Sequence, residues 1–142
     1  MSATDTAPDG SHGPHVLVDD VEHPVLAEND RHHLERVLRV RPGDALTVGD
    51  GRGRWRPCRL AAEPDPVDRV HVVAPPTPSL TVGVSLIKAG RPELVVQKLT
   101  ELGIDRIVLF VAERSVVKWD GAKQDKNEVR LRRVARESVM QC

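Results

Sequence analysis

The sequence predicts an α/β protein in two parts: a small β-barrel, then a strand–helix–strand unit that opens a parallel sheet. Three observations carry this. From residue 15 to residue 75 the apolar runs are short and separated by turn residues, the spacing of a small barrel. Pro75-Pro76-Thr77-Pro78 follows as a stiff linker. Then Leu80 to Ser115 sets two apolar runs around one well-punctuated helix, and such runs fit parallel strands.

Bulk composition narrows the class. At 142 residues the chain has room for one domain or two small ones. Its only aromatic residues are Trp55, Phe110 and Trp119, so the core must be aliphatic. Net charge is zero, yet residues 1–30 hold seven acids and no Lys or Arg, whereas residues 31–59 hold eight Arg against Glu35, Asp44 and Asp50. Such a basic block fits a polyanion partner. A solvated, salt-bridged surface or a genome favouring Arg codons gives the same block. Two cysteines, Cys58 and Cys142, are too few for a disulfide framework or a zinc site, and a reduced cytosolic compartment is the default. No run is long enough to span a membrane. The first 14 residues, rich in Ser, Thr, Asp, Pro and Gly, read as a disordered tail rather than a signal peptide.

In the barrel, His15 to Val18 is a short strand. Asp30 is a candidate N-cap for a helix whose apolar face is Leu34, Val37 and Leu38. Arg41-Pro42-Gly43-Asp44 turns the chain. Ala45 to Val48 and Arg54 to Leu60 are strands around a Gly49–Gly53 hairpin tip. Pro57 lacks an amide donor, which predicts an edge strand or a bulge. Val67 to Ala74 alternates, with Val70, Val72 and Ala74 on one side.

Past the linker, Leu80 to Ile87 alternates as a strand. Pro92 and Glu93 suit a helix N-terminus and Gly103 a C′ position. Arg106 to Ala112 reads as a strand buried on both faces. A last helix, predicted from about Asp125, carries Leu131, Val134, Ala135, Ser138, Val139 and Cys142 as one stripe. The stripe runs to the last residue without a stop signal. The expectation is therefore that the natural gene product continues, or that this half-domain needs a partner.

In open α/β sheets ligands bind beyond the carboxyl ends of the strands. That points to Lys88, Arg91 and Arg114 as a cationic rim and Glu113 as an acceptor. Arg114 paired with Glu113 or Glu101 for structural reasons is the alternative. His32-His33 has no partner at metal spacing, so no metal site is expected. No GxGxxG or Walker motif occurs. If the barrel brings Arg36, Arg39 and Arg41 around the first helix onto one face with Arg52, Arg54, Arg56 and Arg59 of the hairpin, they make a phosphate-tracking patch, since guanidinium groups bind phosphate bidentately. Arg36, Arg39, Arg41, Arg52 and Arg54, with Lys88, are the candidate RNA-binding residues.

Several segments occur in a telling order. These are His32-His33-Leu34, Arg36-Val37-Leu38-Arg39, Arg41-Pro42-Gly43-Asp44, Gly49-Asp50-Gly51 and Lys88. Then come Gln97-Lys98, Glu101-Leu102-Gly103-Ile104, Ile107, Glu113-Arg114-Ser115, Glu137 and Gln141. The set, spanning residues 15–142, resembles the RsmE family, the 16S ribosomal RNA (uracil-N3)-methyltransferases of the SPOUT class. The resemblance implies a PUA-like RNA-binding barrel over residues 15–75. Residues 79–142 would then be the first part of a SPOUT domain, whose trefoil knot binds S-adenosylmethionine. It also implies a cytoplasmic homodimer that methylates N3 of a uridine in the decoding region of the small ribosomal subunit. The family's Gly-Pro-Glu-Gly-Gly loop does not occur in this sequence, so no cofactor-binding residue is expected in this chain. By the resemblance Arg36 and Arg39 contact RNA, and Lys98, Glu101 and Arg114 are catalytic or knot-supporting. Arg114 is the plausible cation for a uridine anion. A non-catalytic RNA-binding module and an unrelated α/β interaction domain are the competing readings.

Overall fold

A computed structural model describes residues 5–86 and 91–141. The chain divides into two compact units, Met1–Pro75 and Pro76–Cys142.

Unit 1 is built on one hairpin. Strand β2 (Ala45–Gly49) pairs antiparallel with β3 (Arg54–Arg59), with Ala45 opposite Arg59 and Gly49 opposite Trp55. On its other edge β2 takes β1 (His15–Leu17) in parallel. On its far edge β3 takes two short strands, β4 (Asp65–Pro66) opposite Cys58 and Arg59, and β5 (His71–Val72) opposite Arg54 and Trp55. Leu46, Thr47, Val48 and Gly49 are all buried. With Val16, Val18, Val21, Leu26, Leu34, Cys58 and Leu60 they form an aliphatic core, each large side chain contributing about 1.5–3 kcal/mol.

Pro57 therefore lies in an interior strand, not an edge. Asp50 N–H donates to Arg54 O and Leu60 N–H to Asp44 O. The alternation turns the nitrogens of Trp55, Pro57 and Arg59 away from β2. On that side β4 covers Cys58 and Arg59 and β5 covers Arg54 and Trp55. The break between them faces Pro57, so no ladder bond loses its donor.

Other expectations are also corrected. The first helix, α1 (Glu28–His32), begins after Ala27, whose backbone is extended. Asp30 thus sits inside the helix rather than capping it. The chain continues as a wider π-helical turn, His33–Val37. That extra width rotates the predicted stripe off the core: Leu34 is buried, while Val37 and Leu38 are 61% and 49% exposed. Val67 to Ala74 is not one strand. Val72 points outward, and His71 points inward, stacked on Trp55 at 4.5 Å. Residues 5–14, read as tail, are held to the sheet. Asp5 accepts from Arg69 at 2.7 and 2.9 Å and from Val72 N–H at 3.1 Å, and Thr6 O accepts from the Trp55 indole at 3.0 Å.

Unit 2 places β6 (Thr81–Ser85) parallel to β7 (Arg106–Phe110). Helix α2 (Arg91–Glu101) lies between them in sequence. It ends as the sequence predicts: Gly103 adopts φ +73°, Gly103 N–H bonds Thr100 O and Ile104 N–H bonds Leu99 O, the Schellman arrangement. Helix α3 (Gly121–Gln141) starts before the predicted Asp125 and packs on α2. Leu131 and Ser138 are its buried residues. Strand β7 is not buried on both faces. Ile107 and Leu109 are half-buried, but Val108 and Phe110, beside Gly83, are exposed. Among the described residues only two strands form this sheet, too few for two covered faces.

Two ionisable groups of unit 1 make its stability pH-dependent. The Arg69 hydrogen bond, then the Val72 amide, hold the Asp5 carboxyl well below the usual carboxylate range. Burial holds the His15 imidazole below its ordinary value. In both cases the unfolded chain binds protons more readily, so stability is full above the unfolded pKa and fades as pH falls. The melting midpoint should drop first below about pH 6.5, through His15, and again below about pH 4, through Asp5. His15→Gln should flatten the first stage and Asp5→Asn should reduce the second. A wild-type midpoint unchanged from about pH 7 to about pH 5 would contradict the His15 contribution.

Candidate nucleic-acid interface and sheet edge

The arginines of unit 1 separate by what they already touch. Arg31 donates to the carbonyls of Ala61, at 3.0 Å, and Ala62, and lies 3.6 and 3.7 Å from Glu35 and Glu63. Arg54 pairs with Glu22 at 2.8 Å. Arg56 donates to Asp68 O at 2.6 Å and Glu22 O at 3.2 Å. These three tie the fold together. By contrast Arg36, Arg39, Arg41 and Arg52 are exposed, and among the described residues none pairs with a carboxylate.

Three of those four lie on the short segment from the π-helical turn to the Arg41–Asp44 turn. After the π-helical turn, Leu38 N–H bonds His33 O and Val40 N–H bonds Leu34 O. Arg39 between them has φ +57°, a left-handed conformation uncommon for any residue but Gly, Asn or Asp. Asp44 then closes the next turn: its N–H bonds Arg41 O at 2.9 Å, and its carboxylate accepts from Arg41 N–H at 2.8 Å. Arg59, at the end of β3, lays its guanidinium on this turn and donates to Gly43 O at 2.9 Å. The sequence groups Arg59 with the other hairpin arginines, and the register opposite Ala45 instead sets it beside the Arg41–Asp44 turn.

His32 and His33 are exposed, and among the described residues no three His, Cys, Asp or Glu side chains come together to hold a metal. Cys58 is buried, which pushes its thiol up to about 11 and makes it a packing residue. No helix among the described residues is long and apolar enough to cross a membrane.

In unit 2 the carboxyl ends of β6 and β7 meet. Leu86 N–H bonds Phe110 O at 2.9 Å, and the Ser115 hydroxyl lies 3.1 Å from Val117 O and 3.3 Å from Leu86 O. The Glu113–Ser115 turn, closed by the Ser115 N–H bond to Ala112 O, thus lies at the end of β6, with Arg114 exposed. Arg114 makes no ion pair among the described residues, so the expected partners Glu113 and Glu101 do not take it. Lys88 lies outside the described residues.

Lys98 and Glu101 do not join Arg114. They pair with each other at 2.6 Å near the C-terminal end of α2. The Lys98 ammonium, then the Gln97 amide, hold Glu101 below the usual carboxylate range. From there the Gly103 turn leads directly into the start of β7, the opposite end of the strands from Arg114. A polar pair that the sequence did not signal lies near the helix start. Glu93 meets Arg130 of α3 at 2.7 Å, while its other oxygen is buried without a partner.

Comparison with known proteins matches both units. Residues 26–67 match the RNA methyltransferase PUA domain family, and residues 75–142 match the RNA methyltransferase domain family. A ribosomal RNA small subunit methyltransferase E of Mycobacterium bovis is 36% identical over 122 residues, covering 82% of this chain and 47% of that protein. A crystal structure of the enzyme of the same name from Neisseria gonorrhoeae, bound to S-adenosyl methionine, is similar with TM-score 0.70 and 26% identity, over 92% of this chain and 57% of that one. A predicted RNA methyltransferase from Thermotoga maritima aligns with TM-score 0.69 and 27% identity, over 92% of this chain and 61% of that one. The chain thus spans about half the length of the curated relatives it matches.

The Glu93–Arg130 pair is the clearest structural tie at this end of α2. Arg130→Ala should strand a largely buried carboxylate and cost about 1 kcal/mol, a low value because Arg130 itself is half exposed. Adding Glu93→Gln should restore most of the loss. Denaturant melts followed by circular dichroism measure both, and an Arg130→Ala curve that overlays wild type would refute the role.

Proposed function

Because the chain belongs to the ribosomal RNA small subunit methyltransferase E (RsmE) family, we propose that it acts in the methylation of N3 of a uridine in 16S ribosomal RNA. The proposed target lies in the decoding region of the small subunit and the proposed donor is S-adenosylmethionine, a setting that places the protein in the cytoplasm. In this reading unit 1 grips RNA and unit 2 contributes the first strands and helices of a catalytic domain that works as a homodimer. The observation that carries it is the arrangement of cations: Arg36, Arg39 and Arg41 stand exposed on the two successive turns that lead into β2, with no carboxylate paired to them among the described residues.

The residues present do not fit the methyl donor. The sequence lacks the family's Gly-Pro-Glu-Gly-Gly loop. The described sheet edge presents the exposed cation Arg114, which repels a sulfonium, with the single carboxylate Glu113 beside it.

What the edge suits is the acceptor base. N3 of uridine must lose its proton before it can attack a methyl group, and a nearby cation favours the resulting anion. The exposed Arg114, which makes no ion pair among the described residues and lies beyond the carboxyl end of β7, supports that reading. Lys98 and Glu101, paired with each other, then support the helix end rather than the chemistry.

Two measurements test the reading. This chain should bind RNA with an affinity that falls steeply with salt, and isothermal titration with S-adenosylmethionine should give no heat. Salt-independent RNA binding, or tight donor binding by this chain, would overturn the division of labour. In a full-length family member, alanine at the position of Arg114 should lower methyl transfer by about tenfold or more while donor affinity holds. Unchanged turnover would exclude Arg114.

A further inference from the structure

Resting on the RNA-binding reading above, we infer that unit 1 grips the phosphodiester backbone through one compact cluster, Arg36, Arg39, Arg41 and Arg59, with Arg39 as its preorganised anchor.

The β2–β3 hairpin has two ends. Asp44 and Leu60 close one, and Asp50 and Arg54 close the other. Six residue steps of strand separate them, about 20 Å at the usual rise. The arginines of the basic block therefore fall into two groups, one at each end of the hairpin. At the tip end Arg54 and Arg56 share Glu22, so one of their two charges is already offset, and Arg52 stands apart from the others. Gripping a phosphate there would release few counterions.

At the other end the charge is open. Arg36, Arg39 and Arg41 leave a turn that folds back on itself through the Val40–Leu34 bond. Arg59 joins them by its single bond to Gly43 O, and a guanidinium has further donors for a phosphate. Arg31 takes no part, since its donors are used on Ala61, Ala62 and two glutamates.

Arg39 carries the strongest signal. It occupies the position just after the helical turn, with φ +57°. A glycine would adopt that backbone without strain. The chain keeps a long cation there instead, and strain retained at a residue is a pointer to function. The left-handed kink also fixes the direction in which the side chain leaves the turn, so less freedom is lost when it meets phosphate. Val37 and Leu38, exposed between the two arginines, add an apolar surface for ribose.

The test uses the whole chain and a labelled stem–loop copied from the decoding region of 16S ribosomal RNA, with affinity measured by anisotropy across a salt series. Arg39→Gly should weaken binding about fivefold or more and lower the salt slope by about one. Its melting midpoint should stay level or rise, because glycine relieves the left-handed strain. Arg41→Gln with Arg59→Gln should lower the slope by about two, and Arg52→Gln with Arg54→Gln should change it by less than about one. Wild-type affinity in Arg39→Gly, a lowered midpoint in that variant, or an equal loss from the Arg52 and Arg54 pair would overturn the inference alone. A wild-type chain with no salt-dependent RNA binding would overturn the RNA-binding reading beneath it.

Discussion

The register of β2 against β3 is the constraint on which unit 1 depends. Ala45 faces Arg59 and Gly49 faces Trp55, and a slip of one residue would turn every side chain of one strand to the other face. If β2 turned, Leu46 and Val48 would leave the core; if β3 turned, the nitrogen of Pro57 would face β2, where a donor is required. In the register adopted, that nitrogen faces the break between β4 and β5. One proline thus dictates that the third partner of the sheet comes as two short strands. The same register carries Arg59 to the Arg41–Asp44 turn and leaves Arg54 at the far end, so backbone pairing also distributes the charge.

Much of this was legible in the sequence, for reasons that differ by element. The Arg41–Asp44 turn, the Gly49–Gly53 tip and the end of α2 at Gly103 are set by local backbone chemistry, and each stands where the residues predict. The parallel pairing of β6 and β7 follows from two apolar runs around a helix. What failed were expectations that needed three-dimensional partners. The stripe Leu34, Val37 and Leu38 assumes a helix of ordinary width, and a π-helical turn rotates it. The reading of Val67 to Ala74 assumed that valine outranks histidine for burial. His71 instead goes inward because Trp55 offers a ring to stack on and Asp5 a carboxylate 3.5 Å away.

The candidate site was legible as composition and illegible as geometry. Eight arginines in residues 31–59 fit a polyanion partner, but nothing in their spacing says which ones the fold uses. Glu22, more than thirty positions before Arg54 and Arg56, pairs with both. Arg31 serves the Ala61–Ala62 carbonyls across a similar separation. Three of the eight are thereby structural, and the remainder stands out only once those pairings are known. Lys98 and Glu101 lie close to Arg114 in sequence, yet the helix and the strand between them hold the groups at opposite ends of the sheet.

Two helical segments in this chain end in the same way and solve the problem with different residues. Both have leucine as the last half-helical residue, Leu38 and Leu102, and both enter the left-handed region at the next position. At the end of α2 that position is Gly103, which takes the conformation without a steric cost. After the π-helical turn it is Arg39, for which the same backbone costs about 1–2 kcal/mol. In a domain whose whole stability is of order 5–15 kcal/mol, that is a sizeable fraction. The glycine solution was therefore available to the fold and is used where only the fold is at stake. After the π-helical turn the chain keeps a long, exposed cation instead, so the same backbone problem is solved with glycine at one end and with arginine at the other.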